Sequence, residues 1–128
     1  MSYTLDRTIT DASFEEVDQR TRTALQSCGF GVLTEIDVRA TMKKKMNAEM
    51  DDYRILGACN PEMAYQAIGM EAKVGAMLPC NVILRAVENG VEVSAIDPLA
   101  SMQSIDNDAL KSVAAKVRDM LAEVIDSI

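Results

Sequence analysis

Two cysteines stand where regular chain meets a bend. Cys59 closes the run Arg54-Ile55-Leu56-Gly57-Ala58-Cys59-Asn60-Pro61, and Cys80 sits in Leu78-Pro79-Cys80-Asn81. Asn60-Pro61 reads as a helix start, with Asn at the cap and Pro at the first position, where its missing N–H costs nothing. A thiol beside such a start lies near free backbone N–H groups and the positive end of the helix dipole, which favour the thiolate. Cys59 and Cys80 are therefore the candidate catalytic pair, a reactive thiol site that cycles through a disulfide or carries sulfur. Asn60 and Asn81 would flank the ligand, and Arg54 would meet an anion. Each residue also has a plainer reading. Free cysteines are commonly buried for packing, and Asn beside a bend commonly bonds its own backbone.

The chain has no histidine. That removes Ser-His-Asp and Cys-His catalysis and any imidazole metal ligand within the chain. Two thiolates fall short of the four ligands of a structural zinc site, so a carboxylate or a dimer mate would have to complete one. No metal site and no cofactor are expected. Cys28 lies on the apolar face of the first helix and reads as core. Met42, Met46 and Met50 recur every fourth residue, a spacing that suits Cu(I) or a partner helix but more commonly marks a packed face. Lys43-Lys44-Lys45 fan out around a helix and read as a solvated face. No two carboxylates are singled out as a hydrolytic pair.

The elements that must position the cysteines follow from periodicity. Residues 3–10 read as a strand. Ser13 to Glu16 forms a capping box, and Phe14, Val17, Thr21, Ala24, Leu25 and Cys28 give the helix behind it one apolar face, closed by Gly29. Residues 31–38 read as a strand with Val32, Thr34, Ile36 and Val38 on one side and Leu33 on the other. A helix over 40–50 precedes a central strand over 53–58. The helix from Pro61 runs to about residue 73, and 74–78 form a short apolar connection. Strands over 81–88 and 91–96 make a hairpin around Asn89-Gly90, a turn in which both residues take positive φ. Residues 99–105 read as a loop, and the last helix spans about 108–125, with Leu110, Val113, Val117, Met120, Leu121 and Val124 buried. The order β-α-β-α-β-α-β-β-α, without repeat or linker, predicts one α+β domain over 1–128, a largely antiparallel sheet covered by helices.

The totals narrow the function. At 128 residues the chain is long enough for a real core without staples. A net charge of −7 disfavours nucleic acid and anionic membrane surfaces as partners. No run reaches a membrane span, and the N-terminus lacks a signal-peptide pattern. Three cysteines suit a reducing compartment, so the expected location is cytoplasmic.

Taken together, the Arg54–Pro61 and Leu78–Val82 motifs, the Asn89-Gly90 hairpin, Asp97-Pro98 and the Cys28–Val38 run resemble the DUF302 family of small bacterial and archaeal proteins. The resemblance covers most of the chain. It implies a compact α+β fold, often a homodimer, and names no activity; some relatives are encoded near sulfur-metabolism or redox genes. Two functions follow as expectations. One is a small binding or sulfur/redox accessory protein that uses Cys59 and Cys80 on a small anionic or sulfur-containing ligand. The other is a non-catalytic structural or interaction module, a homodimer whose cysteines only pack.

Overall fold

The computed structural model describes residues 2–128. Five strands form one antiparallel sheet: β1 (Thr4–Ile9), β2 (Gly31–Asp37), β3 (Tyr53–Cys59), β4 (Cys80–Val87) and β5 (Gly90–Ile96), in the spatial order β1-β5-β4-β3-β2. The helices are α1 (Phe14–Ser27), α2 (Val38–Met46), α3 (Pro61–Met70), the short α4 (Pro98–Ser101) and α5 (Asp108–Ser127), with a 3₁₀ turn at Val74–Met77.

Register explains the core. Ile9, Val91 and Ala86 align across the sheet, as do Val93 and Leu84, and Ala95, Val82 and Leu56. This face packs on Val17, Thr21, Ala24 and Leu25 of α1 and on Leu110, Val113, Val117, Leu121 and Val124 of α5. Side chains at every second strand position turn inward, and both helices present a matching apolar stripe. The opposite face carries Tyr53, Asn81, Ile83, Arg85, Glu92, Ser94 and Ile96 around a broad shallow depression, with Ile55 paired to Ile83 on the same face.

Helix α1 starts as expected. The Ser13 hydroxyl accepts from the Glu16 N–H at 3.2 Å, and a Glu16 carboxylate oxygen accepts from the Ser13 N–H at 3.1 Å. Gly29 takes φ +88° just beyond its end.

Five local expectations need correction. In β2 the register shifts between Val32 and Thr34, a bulge that leaves Leu33 as the extra residue. Val32 then faces the core beside Ala58, whereas Thr34 and Ile36 lie on the opposite face with Gly57 and Ile55. Val38 begins α2 instead of ending the strand, because the Asp37 side chain caps that helix by accepting from the Ala40 N–H. Helix α2 buries no residue: Met42 and Met46 are exposed, and Met50 lies beyond the helix, so the methionine stripe is not core. The hairpin turn consists of Glu88 and Asn89, since Val87 pairs with Gly90. Asn89 does not take positive φ. Gly90 is needed for a different reason: a β-carbon there would meet the Ile9 carbonyl oxygen. Finally, Pro98 opens the α4 turn within the stretch expected to be loop, capped by Asp97.

Candidate functional site

Cys59 and Cys80 converge at one end of the sheet. Ala58 pairs with Cys80 across β3 and β4, so Cys59 stands one residue beyond that pair. Strand geometry places the two cysteine α-carbons roughly 6 Å apart. Cys59 is the last residue of β3, where the chain bends into α3. Both residues line one cavity, walled by α3, α5 and the Pro98–Met102 turn.

The local sequence builds this cavity. Cys59 ends β3, and Asn60 turns the chain into α3 by accepting from the Met63 N–H at 3.1 Å. The Asn60 amide nitrogen lies 3.1 Å from where a β-carbon on Gly29 would stand, which ties the end of α1 to the start of α3. Pro79 and the Thr34 hydroxyl press onto Gly57, where a β-carbon would clash with both. Gly57 is thus the residue that lets the Leu78-Pro79-Cys80 bend close over β3.

The lining is almost wholly apolar. Phe30, Ala67, Leu78, Leu110, Val113 and Val117 supply hydrocarbon, and Met63 and Met102 add thioethers to the two thiols. Asn60 is its only amide side chain, and no basic or acidic residue lines it. The volume is about 40 Å³, room for one or two water-sized groups. Cys59 is half-buried and Cys80 buried. Burial, and secondarily the charge of a Cys59 thiolate, push the Cys80 thiol up to about 11. Cys80 is therefore a neutral thiol near pH 7.

The other expected residues fall elsewhere. Asn81 is exposed on the far face of the sheet, where it lines the shallow depression. Arg54 lies five residues back along β3, where it bridges Asp18 at 2.9 Å and Glu15 at 2.8 Å and stacks 5.0 Å from the Phe14 ring centre. Arg22 joins the same group through Asp18 and Glu35. Burial alone would lower the Arg54 pKa, but Asp18 and Glu15 outweigh it and the net direction is up. Arg54 is a structural cation with its carboxylates in place, not a vacant anion site. Cys28 is half-buried against the core, with its thiol pKa raised by burial and by Glu123.

Sequence reasoning missed Met63, Met102, Phe30 and Leu78 as lining residues. Only Met63 carried a signal, since it occupies the position whose N–H the Asn60 cap must bind. Among the described residues no group of three or more Cys, Asp or Glu is placed to hold a metal ion. No helix among them is long and apolar enough to cross a membrane.

A family model described as "Domain of unknown function DUF302" matches residues 5–128. The chain belongs to the DUF302 family. The crystal structure of an uncharacterized conserved DUF302 protein from Bacillus stearothermophilus superposes on this DUF302 chain with a TM-score of 0.93 at 24% identity. The match covers 99% of this chain and 98% of that one, and it shows the common fold. No curated protein matches the sequence.

Proposed function

We propose that this chain is a small sulfur-handling accessory protein, in which Cys59 carries a sulfur atom and Cys80 helps to wall the cavity that receives it. The observation that carries this reading is the convergence of two thiols on one apolar cavity beside the mouth of α3. The raised Cys80 thiol favours carrying sulfur over cycling through an internal disulfide. With a pKa of about 11, Cys80 is thiolate to the extent of only about one part in ten thousand at pH 7. Its attack on a Cys59 adduct would be correspondingly slow.

The transfer step balances without an oxidant. A Cys59 thiolate attacks the terminal sulfur of a small persulfide R–S–SH; the new bond is Cys59–S–SH, and the leaving group is the thiolate RS⁻. A cavity of about 40 Å³ admits the transferred sulfur and leaves R outside. Without a basic lining residue, the cavity favours an uncharged group over a small anion. Reduced protein treated with glutathione persulfide should gain one sulfur atom on Cys59, located by mass spectrometry of its peptides. Cys59→Ser should remove the adduct, and Cys28→Ser should leave it. Labelling of Cys59 no faster than that of an unstructured peptide thiol would overturn the reading.

The uncovered sheet face favours a second reading, an interaction module paired with a second copy of itself. Ile36, Ile55 and Ile83 lie directly opposite one another across β2, β3 and β4. Polar residues surround them, including the Arg85–Glu92 pair at 2.8 Å, an arrangement that a two-fold axis can make self-complementary. Five strands of about seven residues present roughly 500 Å² per copy, about 1,000 Å² in total, the lower end of a specific interface. Light scattering should give a dimer for the native chain and a monomer for Ile83→Asp. A native monomer at high micromolar concentration excludes this pairing.

A further inference from the structure

The sulfur content of the cavity has a consequence independent of sulfur transfer. Four of its lining residues carry sulfur: Cys59, Cys80, Met63 and Met102. Cys80 and Met102 are buried, and no carboxylate, imidazole or cationic side chain shares the lining. Met63 is held on the first turn of α3 by the Asn60 cap, and Met102 follows the α4 turn on another wall. Thioethers and thiolates are soft ligands that select Cu(I) over the hard cations, which require oxygen. Thioether side chains have three rotatable bonds and adapt to a small central group without moving the backbone.

We propose that this cavity binds one Cu(I) ion, held by the sulfur of Cys80 and the thioethers of Met63 and Met102, with Cys59 at the entrance as the first contact. Charge decides the metal. Cys80–SH plus Cu⁺ gives Cys80–S–Cu plus a proton released to solvent, with no change of oxidation state. One thiolate and one monovalent cation leave the apolar cavity neutral. A divalent ion with the same ligands would leave a net positive charge buried without compensation. Zinc would also find only Cys59 and Cys80 among its usual thiolate, imidazole and carboxylate ligands. The inference shares its cavity with the sulfur-handling reading but not its chemistry.

The test is anaerobic titration of the reduced full chain against the coloured Cu(I) complex of bathocuproine disulfonate. The expected result is withdrawal of one Cu(I) per chain, with only sulfur neighbours in X-ray absorption, and no comparable uptake of Zn(II). Met63→Leu and Met102→Leu conserve volume and should each weaken binding by about tenfold or more. Cys80→Ser should abolish it; should that variant fail to fold, the two Met variants still decide. Cys28→Ser, which lies outside the cavity, should leave the affinity unchanged. No withdrawal by the native chain, nitrogen or oxygen neighbours, or native affinity in both Met variants would overturn the proposal. Persulfide uptake at Cys59 without Cu(I) binding overturns only this inference, and Cu(I) binding without persulfide uptake overturns only the sulfur-handling reading.

Discussion

Cys59 and Cys80 are neighbours in space but unlike in environment, and the difference divides their roles. Cys59 is half-buried at the end of β3, whereas Cys80 is sealed among α3, α5 and the Leu78-Pro79 bend. Burial raises the Cys80 thiol from its ordinary 9.0 to about 11, with the Cys59 charge adding to it. A thiol that holds its proton more tightly when folded favours the folded state fully below pH 9, and that contribution is lost as pH rises through about 11. The native chain should therefore lose roughly 2 kcal/mol more stability between pH 9 and pH 11 than Cys80→Ala does. Paired urea melts at the two pH values measure this difference. Equal slopes in the two proteins would show that Cys80 ionises as freely folded as unfolded, and would remove the objection to an internal disulfide.

At the scale of elements, the parts dictated by local chemistry were legible and the parts dictated by neighbours were not. The Ser13–Glu16 box and the Asn60-Pro61 start can be read from residue types because a cap is satisfied within four residues. The apolar stripe of α5 is similarly plain, and its face is buried as its spacing predicts. The β2 bulge was not legible: an alternating pattern through Val32, Thr34 and Ile36 gives no warning that Leu33 drops out of register. Thr34 must meet Gly57 while Val32 meets Ala58, a demand imposed by β3. Gly90 shows the same limit. Its companion Asn89 suggests a turn requiring positive φ, yet the position is reserved for glycine by the approach of the Ile9 carbonyl from β1. The candidate site divides likewise. The meeting of Cys59 and Cys80 was legible from two bends flanking one short helix. The place of Asn81 on the far face follows from one residue of strand alternation after Cys80.

For the whole molecule, the question is what fastens the helical layer to the sheet near β2, the exposed edge beyond β3. The aliphatic core under α5 ends before that edge, and β2 itself is exposed along most of its length. A charged cluster takes over: Asp18 on α1 accepts from Arg22 on the same helix and from Arg54 on β3, while Glu35 on β2 bonds Arg22. Burial would raise the Asp18 pKa, but the hydrogen bonds and charges of Arg22 and Arg54 outweigh it and hold the carboxyl below its usual value. A depressed carboxyl stabilises the fold above its unfolded pKa of 3.8, and the contribution is lost as pH falls through the lower folded value. Asp18→Asn keeps the shape and removes the charge, leaving Arg54 with Glu15 and Glu35 alone. Its stability at pH 7 should fall by roughly 2–3 kcal/mol. Its decline on acidification below pH 4 should also be shallower than that of the native chain, because the variant has no Asp18 to protonate. Chemical denaturation at pH 7 and pH 3 separates the two effects. Native-like stability of Asp18→Asn at both would mean that Phe14 and the neighbouring glutamates suffice to hold Arg54, and that the β2 edge needs no buried carboxylate.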